Sequence, residues 1–125
     1  MSKLEVMSFA YSRAEPPEAN LLFDMRFLRN PHWQDHLRAM CGLDAPVGDY
    51  ISGDPAHDQA MARIEAALLT LLPLYLADEK AFVRLAFGCT GGRHRSVHVA
   101  ELIAARLRMA GFSPSLVHRD LAIAA

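Results

Sequence analysis

Apolar residues change their spacing several times along the 125-residue chain, and the changes predict alternating strands and helices. Leu4, Val6, Ser8 and Ala10 alternate against Glu5, Met7, Phe9 and Tyr11, and both sets contain apolar residues, as in a strand covered on both faces. Ser12 to Asn20, with Pro16-Pro17 and three charges, reads as a polar loop. Leu21 to Met25 predicts a second short buried strand. Asn30 suits an N-cap and Pro31 a first helical residue, so a short helix is expected there. Trp33, Leu37 and Met40 would form its apolar stripe, with Trp33 packed in the core and Gly42 just past the end.

Asp44 is placed to cap a short turn through Val47 and Tyr50, and Ser52-Gly53-Asp54-Pro55 is a turn signal. The longest helix is expected from about Ala56 to Leu76, burying Met61, Ile64, Leu68, Leu71, Leu72 and Tyr75. Pro73 inside it predicts a kink or an early end, because proline removes one helical hydrogen bond. Asp78-Glu79-Lys80 connects to a strand from Phe82 to Phe87. A helix starts near Ser96, marked by Val99, Leu102, Ile103, Leu107 and Ala110, and Gly111 ends it. Ser115 to Asp120 predicts the last strand, and Leu121 to Ala125 a frayed tail. The fold expected is α/β: one domain over residues 1–125, a small parallel or mixed sheet flanked by helices and joined by right-handed crossovers.

Composition narrows the class. Apolar content of 52% and charged content of 22% are ordinary for a globular domain. No run of eighteen apolar residues predicts a membrane span, and Met1 to Glu5 lacks the apolar core of a signal peptide. Cys41 and Cys89 lie far apart, which points to a reduced, cytoplasmic protein. A net charge of −1 argues against wrapping nucleic acid by bulk charge, while leaving room for a local basic patch.

The densest chemistry is Gly88-Cys89-Thr90-Gly91-Gly92-Arg93-His94-Arg95-Ser96, a strand-to-helix turn. Adjacent glycines let backbone N–H groups converge into a nest, the positive end of a helix dipole lies behind them, and Arg93 and Arg95 add charge. The combination suits a bound phosphate. Glycines alone would mean only a tight turn, and Cys89 alone only a small buried hydrophobe. Two further strand exits, Asp24 with Arg26 and His118-Arg119-Asp120, are expected to converge on the same pocket, with His32 entering beside Arg26. In that pocket amides from Thr90 through Gly91 and Gly92 to His94 would hold phosphate oxygens. Arg95 and Arg26 would supply charge, His32, His94 and His118 hydrogen bonds, Thr90 and Ser96 hydroxyls, and Cys89 part of the wall.

Two rival chemistries compete with simple binding. Cys89 to Ser96 satisfies Cys-x5-Arg-Ser, the spacing of cysteine-dependent phosphatases, in which Cys89 would attack, Arg95 would clamp the phosphate and Asp24 or Asp120 would be the candidate acids. His94 and His98 could share a helix face, but no third ligand sits nearby, so no metal site is expected, and no cofactor.

Asp24-Met25-Arg26-Phe27-Leu28, Asn30-Pro31-His32-Trp33, Gly42-Leu43-Asp44, Gly88-Cys89-Thr90-Gly91-Gly92, His94-Arg95-Ser96-Val97 and Val117-His118-Arg119-Asp120-Leu121 resemble the C-terminal domain of the RapZ (YvcJ) RNase adapter family, from about Ser8 to Leu121. The resemblance implies a regulatory domain that senses a phosphorylated ligand of the glucosamine-6-phosphate class, self-associates and binds a small regulatory RNA. It also implies a site at His32, Cys89, Thr90, Gly91, His94 and Arg95. Full-length members of that family carry an N-terminal P-loop domain. No Gly-x-x-x-x-Gly-Lys-Ser/Thr occurs here, so a separate P-loop protein or ribonuclease becomes a candidate partner. The Ser12 to Pro17 loop stands where the family usually has a glycine-containing turn.

Overall fold

The structure, a computed structural model, describes residues 3–124. Its elements are β1 (Lys3–Ala10), β2 (Leu21–Asp24), α1 (Ala45–Ser52), α2 (His57–Tyr75), β3 (Phe82–Cys89), α3 (Arg95–Met109), β4 (Ser115–His118) and the single turn α4 (Leu121–Ala124). The four strands form one sheet in the order β2-β3-β1-β4, and every pairing is parallel. Of the two sheet types expected, parallel is the one found.

Strand order and handedness together decide which face each connection crosses. The chain passes from β2 to β3 and from β3 to β4 in one direction across the sheet, and from β1 to β2 in the other. Right-handed crossovers therefore put α1, α2 and α3 on one face and the residue 11–20 loop on the opposite one. The contacts agree. Leu4, Val6, Val83, Leu85 and Phe87 share the helix-covered face and form one core with Val99, Ala100, Ile103, Ala104 and Leu107 of α3 and with Met61, Leu68 and Leu72 of α2. On the other face Arg84 pairs with Glu5 at 2.7 Å and donates to the Glu18 carbonyl of the loop. Each large aliphatic residue so buried stabilises the fold by about 1.5–3 kcal/mol, and α3, touching β1, β3, β4, α1 and α2, is the spine.

Several local expectations change. Residues 31–33 form a single 3-10 turn and not a longer helix, with Asn30 Oδ1 accepting from the His32 amide at 3.1 Å. Of the proposed stripe only Leu37 is buried. Met40 is exposed, and Trp33 stands 73% exposed instead of in the core. With no helix there, Gly42 is not a helix terminator. A Cβ on it would lie 2.6 Å from the His98 amide nitrogen and 2.8 Å from Val97 Cβ, so glycine is needed to seat this segment flush on α3. The turn expected after Asp44 is the full helix α1, and α2 ends two residues beyond Pro73. In the tail, residues 121–124 form one helical turn, while residue 125 lies outside the described residues.

Between α2 and α3 lies a histidine pair, His57 buried and His98 partly so. His57 Nε2 is 3.0 Å from His98 Nε2, and His57 Nδ1 is 2.8 Å from Asp58 Oδ1. One ring nitrogen of the facing pair must donate and the other accept, so a second proton would set two N–H groups against each other. Burial, followed by the charge of His57, pushes the His98 pKa down to about 4 from 6.5. Below pH 6.5 the unfolded chain thus binds a proton that the folded chain refuses, and stability falls with pH until about pH 4. The loss across this window should reach about 3 kcal/mol, read as a lower urea midpoint at pH 4.5 than at pH 7.5. His98→Gln should flatten that dependence; an equally steep profile in the variant would remove His98 as its cause.

Candidate functional site

β1 and β3 end side by side, Ala10 opposite Cys89, and their connections leave toward opposite faces of the sheet. Such a divergence leaves a crevice beyond the carboxyl ends of the strands, and a cleft of about 840 Å³ opens here. The β1 exit contributes Arg13, and the β3 exit contributes Cys89, Thr90, Gly91, Arg93, His94 and Arg95. The segment after β2 supplies Asn30, His32, Trp33, Arg38 and Ala39. Among the described residues, four arginines and two histidines line the cleft, and no carboxylate does.

The turn after β3 is held from below. The Ser96 amide donates to Cys89 Sγ at 3.4 Å, and Ser96 Oγ lies 3.1 Å from the same sulfur. Ser96 is fully buried, so its hydroxyl secures the turn beneath the cleft. Gly92 adopts φ +69°, and a Cβ there would stand 2.6 Å from Ala10 Cβ, so the turn lies directly against β1. Across the cleft, Arg93 donates through Nε and Nη2 to the carbonyls of Met40 and Ala39. His94 Nε2–H also donates to Met40, at 2.8 Å, because a carbonyl can only accept. Burial pushes the His94 pKa down, which keeps that ring neutral. Within the turn, the amides of Thr90, Gly91, Gly92 and His94 have no hydrogen-bond partner among the described residues.

Arg95 forms the floor. It is 6% exposed, and its Nη1 donates to the Arg26 carbonyl at 2.6 Å and to the Leu28 carbonyl at 3.2 Å. Its Nε has no hydrogen-bond partner among the described residues. No carboxylate lies within ion-pair distance of it among the described residues. Burial accordingly lowers the guanidinium pKa, partly opposed by the neighbouring Cys89 and Asp24 side chains.

Not every residue marked in the sequence arrives at the cleft. His32, Cys89, Thr90, Gly91, His94 and Arg95 line it; Arg26, Gly92, Ser96 and His118 do not. Arg26 is forked onto Asp24, at 2.7 Å for the closest contact, and its guanidinium lies 4.0 Å from the centre of the Tyr11 ring. That hydrogen bond holds the Asp24 carboxyl below its usual range. His118 bridges Ser8 Oγ at 2.6 Å and Glu101 Oε2 at 2.8 Å, tying β4 to β1 and α3. Asp120 accepts from the Ala10 amide at 2.7 Å and pairs with Arg119. The β4 exit is therefore occupied in clamping the sheet. Arg13, Asn30, Trp33, Arg38 and Ala39 join the cleft without having been marked, since a polar loop and a supposed helix stripe concealed them. The signal present was Asn30-Pro31 followed by the polar run Gln34-Asp35-His36, which fits a single turn better than a helix.

With this geometry in view, residues 2–122 match the family model described as the RapZ C-terminal domain. The chain belongs to that family. It is 59% identical over 118 residues to a nucleotide-binding protein of Rhizorhabdus wittichii, an alignment covering 94% of this chain and 38% of the relative. A nucleotide-binding protein of Novosphingobium aromaticivorans is likewise 59% identical, with 94% and 39% covered. One from Sphingopyxis alaskensis is 52% identical, with 94% and 37% covered. The chain thus spans less than two-fifths of these relatives, whose names describe proteins far longer than the RapZ-type domain seen here. No helix among the described residues is long and apolar enough to cross a membrane.

Gly92→Ala tests the turn itself. The left-handed φ and the collision with Ala10 should together cost about 2–4 kcal/mol, read from the urea midpoint. A midpoint within error of the parent would show that the turn does not need to lie against β1.

Proposed function

We propose that this RapZ C-terminal domain is a ligand-sensing regulatory module that binds a phosphomonoester of the hexosamine-phosphate class on the floor of the cleft. The observation that carries the reading is Arg95, a buried guanidinium whose Nε–H has no hydrogen-bond partner, and which has no carboxylate within ion-pair distance, among the described residues. Removing a charge from water costs several kcal/mol unless something compensates it, and two backbone carbonyls compensate only in part. A phosphate would complete the charge balance and fit the guanidinium fork. The amides of Thr90, Gly91 and His94, on the cleft at the head of the 15-residue helix α3 and without a hydrogen-bond partner among the described residues, supply further donors of the kind that bind anions. The choice of a hexosamine follows from the family resemblance. So do the partners that ligand occupancy would influence: a small regulatory RNA, a P-loop protein or ribonuclease, or a second copy of the domain.

A cysteine phosphatase is the second reading, kept by the position of Cys89 on the cleft beside the Ser96 hydroxyl. Against it, the cleft offers no carboxylate to protonate a leaving group. Asp24 and Asp120 are engaged with Arg26, and with Arg119 and the Ala10 amide. Binding without turnover is the better account.

Calorimetric titration with glucosamine-6-phosphate, with glucosamine and inorganic phosphate as controls, tests the reading directly. Saturable binding of the phosphorylated compounds and none of glucosamine is expected. Arg95→Ala, checked for folding by circular dichroism, should weaken binding by about 1.5–3 kcal/mol. An affinity unchanged in a folded variant would refute the role of Arg95. Phosphate release that disappears in Cys89→Ser would instead establish the phosphatase.

A further inference from the structure

Trp33 is the one tryptophan of the chain, and it stands on the cleft wall rather than in the core. An indole left 73% exposed forgoes most of the burial that makes tryptophan valuable to a fold. Its exposure is built in rigidly. Pro31 is buried, the Trp33 amide donates to the Asn30 carbonyl at 3.2 Å, and the Gln34 amide to the Pro31 carbonyl at 3.0 Å. Arg38 Nε holds the His32 carbonyl from the other side at 2.7 Å. The His32 ring meets Trp33 in an edge-on arrangement, centroids 5.1 Å apart and planes at 84°, which braces the pair without stacking one ring on the other.

The cleft is also far larger than a phosphate needs. Its 840 Å³ lies in the range of sites that take organic ligands of drug size. Trp33 adds an aromatic side chain to a lining whose other side chains include four arginines.

Resting on the phosphate reading above, we infer that Trp33 is the specificity-determining wall of the cleft, and that it selects phosphomonoesters carrying a ring. The phosphate binds on the Arg95 floor and the ring lies against the indole. A sugar ring would present its C–H face, and a nucleobase its π face. A phosphate on an open three-carbon chain satisfies the floor and leaves the wall untouched.

The test compares four probes on the full chain: glucosamine-6-phosphate, adenosine monophosphate, glycerol-3-phosphate and inorganic phosphate. Calorimetry gives affinities, and the emission of the single tryptophan reports the wall directly. At least one ring-bearing probe should bind about tenfold more tightly than glycerol-3-phosphate, an advantage of the size aromatic contacts provide, and should shift Trp33 emission. Trp33→Ala should abolish that preference, bringing the ring-bearing probe down to the affinity of glycerol-3-phosphate, while Trp33→Phe should restore part of it. Equal affinities for ring-bearing and open-chain probes, or a preference that survives in Trp33→Ala, would overturn the inference with the phosphate site intact. Failure of every probe, inorganic phosphate included, would overturn the phosphate site and this inference together.

Discussion

A guanidinium withdrawn from water without a carboxylate beside it is the constraint around which the site is arranged. Arg95 begins α3, reaches under the turn after β3 and grips the carbonyls of Arg26 and Leu28. Those contacts fasten the segment after β2 beneath the turn after β3 and so define two sides of the cleft. The same burial leaves a positive charge that protein dipoles satisfy only partly. Structural anchoring and the anion contact proposed above thus rest on one side chain.

The direction in which the chain crosses the sheet explains why the cleft lies where it does. β1 leaves toward the loop-covered face and β3 toward the helix-covered face, and the cleft opens beyond their carboxyl ends. The turn after β3 can then lie against Ala10, close enough that only glycine fits at position 92. Gly42 has the matching role on the other side, letting the segment after β2 sit on the first turn of α3. Charges elsewhere along the same edge are neutralised locally. Asp24 holds Arg26, Asp120 holds Arg119 and, on the cleft itself, Asp35 holds Arg38 at 3.0 Å, whereas Arg95 has no carboxylate within ion-pair distance among the described residues.

α3 connects this edge to the core. Its first turn carries His94 and Arg95 at the cleft, and one turn later His98 enters the pair with His57. Acid that loosens the pair would act on the helix whose N-terminus shapes the cleft. The cleft and the core therefore share a single helix, α3.

Period and punctuation alone determined the strands, the two long helices, the α/β class and the chemical character of the turn from Cys89 to Ser96, because these depend on neighbours within one or two helical turns. Tertiary structure decided what each charged or aromatic side chain does. Arg26 and His118 carry the right chemistry for an anion pocket, yet Asp24 in one case, and Ser8 with Glu101 in the other, engage them. Arg13, lost in a polar loop, and Arg38, lost in a supposed helix, arrive at the cleft because the chain folds back past the ends of β1 and β3. Trp33 reads as core in the sequence, since hydrophobicity favours burial. Its exposure comes from the 3-10 turn at Pro31, which ends before the indole can reach the interior.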